Sequence, residues 1–433
     1  MSNLVALNAL KGAAGVSGEE AVCVDDLFSH YLYTATGSAL TINNGIDNST
    51  EGGAVWIKQK NAVGDFSAHD TVRGSTKKIR VDHNWEDPPV AETTVAQSLT
   101  SFTTSGFVLG TDSAYNNSGN FYSSYNFRKN EKFFDVVQYT GNGSTQAISH
   151  NSNGTVGCIM VKKIGADTPW QIYHRSLGNT HYMTTNYYDL PADSNARWND
   201  TSPTTTHFTV GSGGYVNTSG QSYIAYIFGH NDGDGIFGPN GDQDIIKCGT
   251  YNGDASVDGS NSIDLGFVPD FLLLKCTDHT SPYGLYNPMN KISDLRRNDD
   301  ITRLEDDAVV TSQNRIKLTS TGFALTENDT ETNGDGRPYV YIAIAAASGN
   351  NSKVPSAGTD CFALDTGSNA SDPPNFDSGF PVELGIVKDP DGGGDWKLST
   401  RWTPGYILDT AVDNAEASSG FYGFHSSVGW ANE

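Results

Sequence analysis

The chain has 433 residues and a formal charge of −23, from 27 basic and 50 acidic side chains. Ordinary domains of ~100–150 residues would divide that length into three or four, and so acidic a surface repels phosphate backbones and anionic lipid, making nucleic acid and membranes poor partners. Gly (47) and Tyr (20) abound alongside Thr, Ser and Asn, a mixture that suits short strands joined by many turns.

The first stretch, MSNLVALNALKGAAG, places no basic residues ahead of its apolar beat and is not read as a signal peptide. Leu4, Leu7 and Leu10 fit one face of a short helix, so residues 1–25 are predicted to be a docking segment. No apolar run approaches the ~18 residues that a membrane span needs.

From there three landmarks recur in fixed order. The first is a Tyr followed by a Gly-rich turn, headed by Tyr33, Tyr139 and Tyr251. The second is a short apolar strand ending in Lys: GGAVWIK to Lys58, GCIMVK to Lys162, DFLLLK to Lys275 and ELGIVK to Lys388. The third is an Asn-x-x-Gly turn running into an aromatic strand, with Gly119, Gly220 and Gly336 each followed three residues later by Tyr122, Tyr223 or Tyr339. The spacing predicts four copies of one unit, over 26–132, 133–237, 238–352 and an incomplete 353–433, which lacks the last turn and aromatic strand. Runs such as FLLLK and YIAYIF are short, apolar and bounded by Gly, Asn and Asp, so they read as strands covered on both faces. The fold class is therefore all-β, tandem β-sandwich repeats, each unit expected to bury a core of its own. A barrel is the weaker alternative, and the period is too long for a solenoid.

With those landmarks in place, the sequence resembles the repeated domains of structural, tail-fibre-like proteins of marine bacteriophages of the cyanophage type. The phrases that carry the resemblance are GGAVWIK with DTVRG, KFFDVVQYTGNGS, GCIMVKK, YHRSLGNTHYM, RWNDTSPTTTHFTVG, SYIAYIFGH and PYVYIAIA, most of residues 26–347. The resemblance implies a virion component of lectin-like or jelly-roll-like sandwiches, with other virion proteins and copies of itself as partners, a trimeric fibre being one arrangement. It leaves three roles open: a fibre with host-glycan attachment, a capsid decoration protein, or a polysaccharide depolymerase.

Candidate chemistry is sparse. HNDGDGIFGPNGDQD gathers Asp232, Asp234, Asp242 and Asp244, an oxygen-rich loop of the kind that holds calcium. Its spacing departs from the EF-hand pattern, and it falls where two units join, so a plain linker is the preferred reading. DPDGGGDW, with Asp389, Asp391 and Asp395, reads as a tight turn. Arg73, Arg175 and Arg401 follow their units' lysines by 13 to 15 residues. They read as braces for a loop or a neighbouring unit, ahead of a sugar- or carboxylate-binding face. His69, His174 and His181 lie near the repeat loops without metal-ligand spacing, and no nucleophile elbow, HExxH or P-loop occurs. Cys23, Cys158, Cys248, Cys276 and Cys361 form no CxxC pair. Sequons such as Asn48 and Asn142 follow more simply from loop composition than from glycosylation. The expectation is a non-enzymatic chain with no catalytic residue, metal or cofactor, because four similar units offer no single distinguished site.

Overall fold

The computed structural model describes residues 21–81, 91–185, 189–287, 299–303, 311–313 and 315–367, with segments 376–380, 382–389, 391, 395–400, 406–411, 415, 417–418, 422–425 and 429–432 beyond. Leu4, Leu7 and Leu10 lie outside the described residues, as does Arg401.

In the first unit, β1 (Phe28–Thr34), β2 (Leu40–Asn43), β3 (Gly53–Gln59), β4 (Ser67–Asp70) and β5 (Lys77–Arg80) are followed by β6 (Thr93–Thr94), β7 (Leu99–Thr103), β8 (Gly106–Leu109) and β9 (Phe121–Arg128). They make two antiparallel sheets, ordered β1-β9-β3-β4-β5-β6 and β2-β8-β7. The second unit contains β10 (Phe134–Thr140), β11 (Gln146–Ser149), β12 (Val156–Lys163), β13 (Gln171–His174), β14 (His181–Thr184), β15 (Ala192–Asp193), β16 (His207–Val210) and β17 (Ser222–Gly229). Its large sheet runs β10-β17-β12-β13-β14-β15 and its small one β11-β16. A helical turn at Asn195–Trp198 stands where the first unit has β7.

The third unit runs through β18 (Ile246–Asn252), β19 (Ser262–Asp264), β20 (Pro269–Cys276), β21 (Gly284–Tyr286) and β22 (Asp299–Arg303). It ends with β23 (Thr311–Gln313), β24 (Ile316–Thr319), β25 (Gly322–Leu325) and β26 (Pro338–Ala345). Its sheets repeat the order of the first unit: β18-β26-β20-β21-β22-β23 and β19-β25-β24. The chain is thus all-β, and each of these units is a sandwich of a large sheet against a small one.

The three landmarks are one local device. On the neighbouring strands, Tyr33 faces Tyr122, Tyr139 faces Tyr223 and Tyr251 faces Tyr339, and the paired rings stack 5.2, 5.2 and 4.9 Å apart. Each ring fills the space between the two sheets while its hydroxyl reaches a backbone carbonyl. Tyr122 donates to Ser113, Tyr223 to Gly214 and Tyr339 to Thr330. The Asn of each turn is buried and clamps the Gly-rich turn that follows the unit's first strand. Oδ1 of Asn116, Asn217 and Asn333 accepts from the N–H of Thr36, Asn142 and Asp254 at 2.8, 2.8 and 3.0 Å. Three residues on, Gly119, Gly220 and Gly336 take φ of 79°, 73° and 66°, a left-handed turn that disfavours any side chain. Asn217→Ala is expected to destabilise by about 2 kcal/mol, since it leaves buried N–H and C=O groups unpaired. A denaturant series showing no change would refute the clamp.

The strand lysines of the first three units are buried too, whereas Lys388 of the fourth is exposed. Nζ of Lys58 donates to the Gly64 carbonyl at 2.7 Å and Nζ of Lys275 to that of Ser281 at 2.5 Å. Lys162 donates to Thr168. Each ammonium therefore ties down the loop after its own strand, and at Lys162 burial pulls the pKa down to about 8.

Units one and two each bury a core of their own between their two sheets, but the three units also share a further core. On β3, Val55 and Ile57 face the small sheet of their own unit, but Ala54 and Trp56 point the opposite way, into a cluster built from all three units. Trp56 meets Phe228 of the second unit at 6.2 Å and Phe271 of the third at 6.4 Å. Phe127 likewise meets Phe228 at 5.7 Å and Phe271 at 5.8 Å. The central strands of each large sheet are covered on both faces, one by the sandwich partner and the other by sister units. Strands buried on both faces read as unbroken apolar runs whichever body does the covering.

Polar seams close the arrangement into a ring. Asp70 and His174 end β4 and β13 at matching places, opposite Ala54 and Cys158, and Asn287 stands one residue past the Leu272–Tyr286 pair. Asp70 accepts from the Tyr226 hydroxyl at 2.9 Å, joining unit one to unit two. His174 Nε2 donates to the Tyr341 carbonyl at 3.0 Å, joining two to three. Asn287 donates to the Tyr125 hydroxyl at 3.2 Å, joining three back to one.

The fourth unit holds β27 (Phe376–Asp377), β28 (Leu384–Val387), β29 (Lys397–Thr400), β30 (Tyr406–Asp409), β31 (Ala417–Ser418), β32 (Tyr422–His425) and β33 (Gly429–Asn432). Its sheets, β28-β29-β30-β31 and β27-β33-β32, repeat the orders β3-β4-β5-β6 and β2-β8-β7. Among the described residues it has no counterpart of β1 or β9.

Candidate functional site

The polar residues singled out in the sequence separate into those that build and those that face solvent. Arg73 is buried and braces the seam between units one and two. Its Nε pairs with Asp70 at 2.6 Å, and its Nη atoms reach Glu92 at 3.3 Å, the Ala68 carbonyl at 3.2 Å and the Tyr226 hydroxyl at 3.3 Å. Arg175, spaced similarly from its own lysine, is exposed. The two arginines therefore do different work.

His69 is buried and donates from Nδ1 to the Ser75 carbonyl at 2.7 Å. Burial, with Arg73 beside it, pulls its pKa down to about 3. Burial likewise holds His174 near 4. His181 is half-buried, with its Nδ1 2.8 Å from the Thr180 hydroxyl. The two buried rings are neutral in the fold, whereas in the unfolded chain they take up a proton below their ordinary value of 6.5. Their contribution to stability is complete above about pH 6.5 and is lost as pH falls toward 4 and then 3. The melting temperature is expected to hold steady from about pH 8 to 7 and to drop through this acid window, less steeply in His174→Gln. A melting temperature unchanged down to pH 4 would contradict the buried, neutral rings.

The acidic loop is tied to its own backbone. Asp244 accepts from the N–H of Gly233 at 2.8 Å and of Gly235 at 2.9 Å, and pairs with Lys247 at 3.6 Å. Asp234 accepts from the Asp232 N–H at 3.1 Å and pairs with Lys132 at 3.4 Å, while Asp242 accepts from Gln243. In the second acidic turn Asp389 accepts from the Asp391 N–H at 3.0 Å. Among the described residues no three His, Cys, Asp or Glu side chains converge as a metal site. The five cysteines carry free thiols, with Cys361 alone exposed.

One surface cluster carried no repeat signal. The Arg197 guanidinium lies between two tyrosine rings, 4.5 Å from the centre of Tyr182 and 4.8 Å from that of Tyr215, and its Nε donates to Gln171 Oε1 at 2.7 Å. Tyr215 is 44 % exposed. The stack is built on the helical turn Asn195–Trp198, where this unit departs from its sisters, so counting along the repeats could not find it. A fixed guanidinium between aromatic faces presents flat apolar surface beside N–H donors, the combination that sugars and carboxylates use.

No curated protein matches the chain. A family model matches residues 24–348, which brackets the ring of three units and leaves the fourth outside. By that match the chain belongs to the family described as a domain of unknown function (DUF7483).

Proposed function

We propose that the chain is a non-enzymatic structural component of a phage virion, a tail fibre or fibre-like appendage that associates with other virion proteins and with copies of itself. The observation that carries this reading is what the recurring polar residues do. Asn116, Asn217 and Asn333, with the lysines Lys58, Lys162 and Lys275, are engaged on the chain's own backbone. Residues that an enzyme would turn toward substrate are here fasteners of the fold, and a chain of fastened repeats suits a part that bears load or spaces other parts. The charge of −23 supports leaving nucleic acid and anionic lipid out of the partners. The Tyr182–Arg197–Tyr215 stack is the face we assign to a host-surface glycan.

Labelling intact particles with antibody against the purified chain tests the role. Density at the tail is expected. Density over the head would favour a decoration protein, and no label on the particle would end the proposal. Incubation with host polysaccharide is expected to leave chain lengths unchanged; shortening would point to a depolymerase. On a glycan array, Tyr215→Ala is expected to bind about 10-fold more weakly than the unsubstituted chain, the loss of one aromatic contact of about 1.4 kcal/mol.

A further inference from the structure

The fourth unit leaves bare the sheet face that its three sisters use to hold one another. Counting back from each strand lysine, Trp56, Met160 and Leu273 stand two residues before Lys58, Lys162 and Lys275, and Ile386 holds that place before Lys388. The three sisters are 0 %, 1 % and 5 % exposed in the shared core, whereas Ile386 is 51 % exposed. Four residues before the lysine, Phe271 is fully buried against Trp56 and Phe127 of the first unit, and its counterpart Leu384 is 52 % exposed.

The bare face extends across the sheet. Ile386 pairs with Leu398, and Leu398 with Leu408, so the three side chains form one row on one side of β28, β29 and β30. Leu408 is 45 % exposed. The corresponding rows in the ring, Trp56–Ala68–Ile79 and Met160–Ile172–Met183, are buried in the core common to all three units. A row of uncharged aliphatic side chains on a chain carrying a charge of −23 is a contact face. The ring itself displays what covers such a face: two further units of the same kind, set around a common centre.

We infer that three copies of this chain associate through their fourth units, the rows Ile386–Leu398–Leu408 with Leu384 meeting around one centre as the inner rows of units one to three do within a chain. This gives the self-association proposed above a surface and a number. It requires nothing of the virion, so its failure and that of the virion role are separable: one is read on pure protein and the other on particles.

Sedimentation of the full chain at micromolar concentration tests it. The expected mass is three times the 46.4 kDa of one chain, and the double variant Ile386→Asp/Leu408→Asp is expected to sediment as a single chain with the melting transition of the ring retained. Hydrogen exchange on the unsubstituted chain gives a second measure that does not depend on the variant folding: the amides of Leu384–Val387 are expected to gain protection as concentration rises. A one-chain or two-chain mass for the unsubstituted protein, a three-chain mass retained by the double variant, or exchange independent of concentration would each overturn the inference.

Discussion

Trp56→Ala is expected to cost about 3–5 kcal/mol, the range for removing a large buried aromatic side chain from a core that cannot fully collapse around the gap. The indole is fully buried and touches Phe66 and Phe127 of its own unit, Tyr226 and Phe228 of the second and Phe271 of the third. The loss is therefore shared by the whole ring. Chemical denaturation should show one transition, shifted bodily to lower denaturant, with Trp fluorescence and far-UV circular dichroism coincident. If the first unit melted alone while the others kept their midpoint, or if the cost were below ~1 kcal/mol, the common core would be refuted.

Arg73→Met should be comparably severe, about 3–5 kcal/mol, for a different reason. The Arg73 and Asp70 side chains are 1 % and 0 % exposed. Removing the cation leaves a carboxylate out of water with only the Tyr226 hydroxyl and nearby backbone N–H groups to answer it, and an uncompensated buried charge is the costly outcome of breaking such a pair. Arg73→Met/Asp70→Asn should recover a large part of the loss, because the second change removes the stranded charge. Equal destabilisation in the single and double variants would show that shape, rather than charge, governs this seam.

How much of this was legible in the sequence depends on whether a feature repeats within one unit or arises between units. The tyrosines, the Asn-x-x-Gly turns and the strand lysines are local, and in the first three units each copy performs the same task, so spacing alone placed them. Trp56 and Val55 look alike in sequence, as neighbours in one apolar run, yet one meets sister units and the other its own small sheet. Alternation cannot say which body covers a face, so the expectation of a core in each unit found those of units one and two and missed the one that all three share. Arg73 and Arg175 follow their lysines by 15 and 13 residues and differ in fate, since only the former is buried, against Asp70 of its own unit and the Tyr226 hydroxyl across the seam. The seam residues did leave a trace: Asp70, His174 and Asn287 each stand twelve residues after their lysine (58 to 70, 162 to 174, 275 to 287). Three different side chains at one spacing conceal a repeat of place. The Tyr182–Arg197–Tyr215 stack left no such trace, because it sits where the second unit breaks the pattern.

The unlike seams also make the ring intolerant of substitution by a wrong lobe. Tyr125 and Tyr226 each follow their unit's aromatic-strand tyrosine by three residues, and in the third unit that place is held by Ile342. Were the third unit, from the same chain or from a neighbour, to settle against unit one in place of the second, Asp70 would face the sec-butyl side chain of Ile342 where it needs a hydroxyl donor. A buried carboxylate that loses such a partner makes the misplaced assembly costly. A ring of three identical seams could trade lobes between chains without penalty and tangle as it folded. This one carries, in the Tyr226 hydroxyl at one joint and the Tyr125 hydroxyl at another, a proofreading check on which lobe follows which.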